Sequence, residues 1–352
     1  MRRHWLILIL LSLTLSLSVP LFYGGLESFY RLGRLSPWVM LLLLSMVLIG
    51  WLLNAGRLMV LGRALAVPLA SRSAMTTVVS TEFAGLATPA ASGAAPTFLF
   101  LLSRYGFPLG PAAGVLAVDL VMDIVFFLTA LPGALALYAF GENGVDAGRL
   151  VILVAVALGG GVAALLVVIR YYRPLAIRAG RLLGRHHRLG RFRFRLARSL
   201  VHFRASVRLL FRMGRARLFL LYVLCFCHWI VRYSILPVLL YFMGHPVPWA
   251  YLFVGQGLVL FGGLMTFVPG GGGGVEAGLS ALLHPYLDPR TTATAMLAWR
   301  FVTFYWYLIA GAPVFATATG THARWLMSRA GTEPGDTDPT RGSASSRRGG
   351  ER

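Results

Sequence analysis

Long apolar runs separated by short polar or arginine-bearing segments dominate the chain. Runs over 5–23, 37–53, 114–140, 150–169, 218–243 and 291–317 come near the roughly 20 residues a helix needs to cross a bilayer core. They predict six full transmembrane helices. Two further apolar runs, 75–102 and 249–283, are interrupted by Gly and Pro around 86–93 and 269–274. Helix breaks at membrane depth are tolerated only inside protein or against a wet cavity, so these runs predict something other than ordinary spans.

Positive charge decides what they are. Arg2 and Arg3, then Arg57, Arg63 and Arg72, then the block 170–217, then Arg324 and Arg329 all mark the cytoplasmic side if basic residues are retained there. Between the second helix and Arg170 an even number of crossings is needed, and 114–140 with 150–169 already supply two. The run 75–102 must therefore enter and leave on one side, as a re-entrant hairpin. By the same count 249–283 is a second hairpin, opening to the other side. The expected fold is an all-α integral membrane domain over 1–330, with halves at about 1–140 and 150–320. Its six full helices and two hairpins form an inverted-topology repeat, which places a substrate near the midplane. Both termini are expected in the cytoplasm, with the protein in the plasma membrane.

Composition agrees: 57% hydrophobic and 13% charged residues exclude an ordinary soluble globular domain. The formal net charge is +21 and all 33 basic residues are arginine, which raises nucleic acid as a partner. Fifteen of these arginines lie in 170–217, where there is no Asp or Glu. Leu189, Phe192, Leu196, Phe203, Val207 and Leu210 recur there at helical spacing, opposite Arg191, Arg195, Arg198, Arg208 and Arg212. That pattern is a basic amphipathic helix on the inner membrane surface, not a nucleic-acid site. The tail 331–352, rich in Gly, Pro and Ser, is expected to be disordered. The first apolar run reads as an uncleaved helix. Cys225, Cys227 and His228 are too few for a metal site and read as helix packing.

The candidate chemistry sits at the breaks. Pro269, Gly270, Gly271 and Gly272 allow close approach of an anionic headgroup to backbone N–H groups, and the helix that follows offers its positive dipole end. Glu276 falls in the first turn of that helix, either as a cap or as a functional carboxylate. In the first hairpin the matching positions are Thr88, Ser92 and Gly93. Ionisable residues inside spans are site candidates by default, which singles out Glu82, Asp119, Asp123, Arg232 and Arg300 for charge or proton balance and phosphate binding. Asp119 and Asp123 share one helix face, so either one carries a proton or an arginine lies between them. Arg104 and Arg300 follow the two hairpins in equivalent places, and a guanidinium suits two-point phosphate binding. No catalytic triad, metal cluster, Walker loop or dinucleotide fingerprint is present, so neither catalytic residue nor cofactor nor metal is expected.

The second hairpin, Phe267-Val268-Pro269-Gly270-Gly271-Gly272-Gly273-Gly274-Val275-Glu276-Ala277-Gly278 with Arg300 downstream, resembles the second motif of the lysylphosphatidylglycerol synthase transmembrane-domain family, also called flippase-like. The segment 87–96 followed by Leu101-Leu102-Ser103-Arg104-Tyr105-Gly106 resembles its first motif. The resemblance covers roughly 5–320. It implies a bacterial or archaeal plasma-membrane protein whose relatives move aminoacylated phosphatidylglycerol or act in polyprenol-linked sugar and hopanoid pathways. By motif it carries over Pro269, Gly270, Gly271, Glu276, Arg300 and Arg104. The synthases' aminoacyl transfer belongs to a separate soluble domain, so this chain is not expected to make the aminoacylated lipid alone. The functions left open are a lipid flippase or carrier, a membrane-embedded transferase, and an accessory subunit holding a cytoplasmic synthase or glycosyltransferase through 170–217.

Overall fold

The structure, a computed structural model, describes residues 2–25, 27–139 and 213–330, with side chains over 12–25, 27–134 and 213–320. The predicted span 150–169, most of the basic segment 170–217 and the tail 331–352 lie outside the described residues. All regular structure among those described is helical: α1 (Arg2–Gly24), α2 (Glu27–Gly33), α3 (Pro37–Ala64), α4 (Ser71–Leu86), α5 (Ala94–Arg104), α6 (Leu109–Ala139), α7 (Arg215–Phe242), α8 (Trp249–Met265), α9 (Gly274–Leu283), α10 (Pro289–Arg300) and α11 (Trp306–Ala330). A π turn, Phe301–Tyr305, joins α10 to α11.

Four stretches are long and apolar enough to cross a bilayer: Pro37–Ala64, Leu109–Ala134, Arg215–Phe242 and Pro289–Gly320. They coincide with four of the six predicted helices. The described apolar part of α1, Ser12–Gly24, is shorter than a span, and so is α8. The outer faces of the long helices carry exposed Leu41, Leu48, Leu52, Phe219 and Ile309, as a bundle solvated by lipid would. Small residues set the closest approach: Gly50 faces His228 and Gly56 faces Leu224, so α3 and α7 run antiparallel with little side chain between them. Leu43, Leu61, Leu236, Leu239 and Phe253 fill the interior.

Two helix–turn–helix units stand out. In the first, α4 and α5 are joined through the short 3₁₀ turn Pro89–Ala91, where Ala90 and Ala91 hold φ of 48° and 55°. Thr88 closes it: its Oγ1 accepts from the Gly93 N–H at 2.7 Å and donates to the Ala84 carbonyl at 2.7 Å. In the second, α8 and α9 are joined through the 3₁₀ turn Pro269–Gly271, with Gly270, Gly271 and Gly273 at φ of 60°, 67° and 83°. A Cβ on Gly270 would also strike the Phe304 ring. The two turns pack directly against each other. At the base of the first unit Phe107 and Leu69 both line Gly62 near the end of α3. At the base of the second, Tyr251 Oη donates to the Leu282 carbonyl at 2.8 Å.

Candidate functional site

Three arginine–carboxylate clusters lie in the body of the bundle, one fully buried and two part-buried, and the first is built on the glycine-rich turn. Glu276 opens α9 and accepts the Gly273 N–H at 2.7 Å, closing the turn from the carboxylate side alone. Its other oxygen lies 2.6 Å from Arg300 Nε and accepts from Ser16 Oγ. Tyr305 Oη donates to Ser16 Oγ at 3.0 Å, and Ser12 Oγ donates to the Pro269 carbonyl. Arg300 Nη1 donates to the Gly270 carbonyl at 3.0 Å, and its guanidinium lies 5.3 Å from the Phe304 ring centroid. Glu276 is 0% and Arg300 3% exposed, so this ion pair is sealed. Arg300 Nη2 has no hydrogen-bond partner among the described residues. Arg300 lies about 16 Å along α10 from its start.

The second cluster joins α4, α7 and α11. Arg232 Nη1 lies 2.9 Å from Glu82 Oε2 and donates to Tyr307 Oη at 3.0 Å. Its guanidinium also stands 5.2 Å from the Tyr307 ring centroid, and the same ring meets Trp51 edge-on at 5.1 Å.

The third joins α3, α6 and α7. Arg57 Nη2 lies 2.6 Å from Asp119 Oδ1, and Nη1 lies 3.0 Å from Asp123 Oδ1. One Asp123 oxygen also accepts from Trp229 Nε1 at 2.9 Å and from the Cys225 thiol at 3.4 Å. Arg57 Nη1 reaches Asn54 Oδ1 at 3.1 Å, and Asn54 Nδ2 reaches His228 Nε2 at 3.3 Å. His228 Nδ1 lies 3.0 Å from the Gly50 carbonyl, an acceptor only, so Nδ1 carries the proton and Nε2 accepts. Here the arginine lies between the two carboxylates, and the cluster holds one cation for two acids.

The sequence groups Arg57 with Arg63 and Arg72 as markers of the cytoplasmic side. Arg63 and Arg72 are exposed, but Arg57 is 2% exposed. Two acids on α6 make burial of its charge tolerable.

Of the other predicted residues, Pro269 and Gly271 are buried in the second turn, with Gly272 against Ser12. Thr88 and Gly93 close the first turn, and Ser92 is exposed on it. Arg104 is exposed at the end of α5 and donates to the Ala318 carbonyl, so it stands apart from Arg300. Cys225 is free and buried, and no group of acidic, His and Cys side chains fit for a metal occurs among the described residues.

Residues the sequence reading passed over are Ser12, Ser16, Asn54, Tyr305 and Tyr307. Ser12 and Ser16 are spaced i, i+4 in an apolar helix, and Asn54 stands one turn before Arg57. Those polar positions were the available signal.

Comparison with known proteins places this architecture. The family model for the lysylphosphatidylglycerol synthase TM region matches residues 7–311. A UPF0104 membrane protein of Archaeoglobus fulgidus is 20% identical over 300 residues, spanning 82% of this chain and 90% of that protein. The chain belongs to the lysylphosphatidylglycerol synthase TM region family and is a multi-pass membrane protein.

Proposed function

We propose that the chain takes the anionic head of a phospholipid or polyprenol-linked substrate into the middle of the bundle and carries it across the membrane. In this reading α4–α5 and α8–α9 are re-entrant hairpins from opposite faces of the plasma membrane, within an inverted repeat whose termini are cytoplasmic. The contact between their turns is the midplane site. Arg300 and the turn 269–272 receive the phosphate, while Glu82, Asp119 and Asp123 balance charge or protons as it passes.

One observation carries the reading. Arg300 Nη2, buried beside a glycine turn, has no hydrogen-bond partner among the described residues, and a buried unpaired donor of this kind costs on the order of 1–3 kcal/mol. A phosphate oxygen would satisfy it. The opposing Glu276 keeps the site neutral when empty, so the anion competes for the arginine and does not meet a bare charge.

The test is headgroup translocation of a fluorescent phosphatidylglycerol in proteoliposomes, read by quenching from outside. Arg300→Lys keeps the charge facing Glu276 but removes the second donor arm, and is expected to slow translocation tenfold or more with little change in melting temperature. Translocation at the wild-type rate in a folded Arg300→Lys protein defeats the proposal.

A further inference from the structure

A second cationic site lies away from the three arginine–carboxylate clusters, at one end of the bundle. A cleft of about 320 Å³ opens between α2, the end of α7 and the start of α10, and Arg31, Arg34 and His245 line it together with Phe242 and Met243. That volume is at the small end of ligand pockets, and its lining mixes cationic, apolar and hydroxyl side chains, the last from Thr291 and Thr294.

The charges around it do not cancel. Glu27 lies 2.8 Å from Arg31 and 3.1 Å from Arg290, and its hydrogen bond to Arg31 holds its carboxyl below the usual range. One carboxylate is thus shared by two arginines. Asp288 is taken up by the start of α10, accepting from Arg290 N–H at 2.9 Å and Thr291 N–H at 3.1 Å. Arg34 is exposed and makes no ion pair among the described residues. Three arginines face two carboxylates, and the surplus guanidinium opens to the cleft.

The surroundings fix the depth. Phe22, Tyr23, Tyr30, Trp38, Tyr241 and Phe242 all stand exposed on this end of the bundle, on the helix ends that border the cleft. Aromatic side chains gather where acyl chains give way to headgroups, the level at which lipid phosphates lie. Arginine is well shaped to hold a phosphate there, and Phe242 with Met243 offers the apolar wall that the first carbons of an acyl chain need.

We infer that this cleft binds the phosphate of a phospholipid headgroup at the bilayer surface, with Arg34 and Arg31 as its ligands. It sits at the base of α8–α9, since His245 shortly precedes α8 and α10 shortly follows α9. A lipid held there waits beside the second unit. The inference does not depend on translocation and stands if the chain moves no lipid.

The test uses the full chain in phosphatidylcholine nanodiscs, with dihexanoyl phosphatidylglycerol and inorganic phosphate as separate probes, read by thermophoresis. The expected result is saturable lipid binding whose dissociation constant rises tenfold or more in Arg31→Gln/Arg34→Gln and severalfold in Arg34→Gln. Arg72→Gln, an exposed arginine outside the cleft lining, is expected to keep that binding. Inorganic phosphate binding as tightly as the lipid, and lost in the same variants, would assign the cleft to free phosphate and overturn the headgroup. Unchanged lipid binding in Arg34→Gln, an exposed substitution that leaves the Glu27 pairs in place, would overturn the site itself.

Discussion

The two helix–turn–helix units share a backbone plan and differ in what holds their turns. The first uses alanines at positive φ, closed by the Thr88 hydroxyl, and its downstream arginine, Arg104, is spent on the Ala318 carbonyl. The second uses glycines, and its closing group is a buried carboxylate that also holds Arg300. L-residues at positive φ store roughly 1 kcal/mol or more apiece, so the first turn carries strain with little chemistry. The second is not free of strain, since Phe267 holds φ of 53° just before it, but glycines take the turn itself and it carries charge. Like folds therefore leave, among the described residues, only the second turn with a buried cation–anion pair.

Removing the charge that makes the second turn different should have the largest effect. Glu276→Ala leaves Arg300 buried with no counter-charge and opens the α9 cap, an expected loss of about 3–5 kcal/mol seen as a collapse of the melting temperature in detergent. A fall no larger than that of Thr88→Ala would erase the contrast between the turns. Gly270→Ala comes next, at about 3 kcal/mol, because φ of 60° and the Phe304 ring both oppose a Cβ. Thr88→Ala should cost about 2 kcal/mol by leaving the Gly93 N–H unpaired, and Thr88→Ser should restore most of it.

At the boundary between the second unit and α10, Asp288→Ala should cost about 1 kcal/mol at neutral pH, as lost helix caps do. The Thr291 hydroxyl and amide hold the Asp288 carboxyl below its ordinary value. A depressed folded value means the contribution is complete above the unfolded pKa, near 4, and disappears as pH falls through the lower folded one. The gap between wild type and Asp288→Ala should accordingly narrow in melts below about pH 4. The smallest effect runs the other way: Ala91→Gly should gain roughly 0.5 kcal/mol by releasing positive-φ strain, net of the extra unfolded-state freedom. Loss of stability there would mean that the first turn is not strained.

Much of the scaffold was readable before any coordinates. Apolar runs long enough to span, and Gly and Pro where they break, are properties of neighbouring residues, so four long helices and both interruptions emerge at the expected places. The paired acids Asp119 and Asp123 also announced their need for a cation or a proton, because i, i+4 geometry brings them together whatever the fold.

Which cation answered them was not readable. Arg57 lies 62 and 66 positions before those acids, and by its neighbours it looked like one more marker of the cytoplasmic side. Likewise nothing local links Ser16 with Glu276, 260 positions apart, or Glu82 with Arg232, 150 apart. Hydropathy and turn chemistry act over a few residues and settle where helices begin, break and end. The pairing of buried charges depends on which helix faces touch, and only packing of the whole bundle chooses those faces.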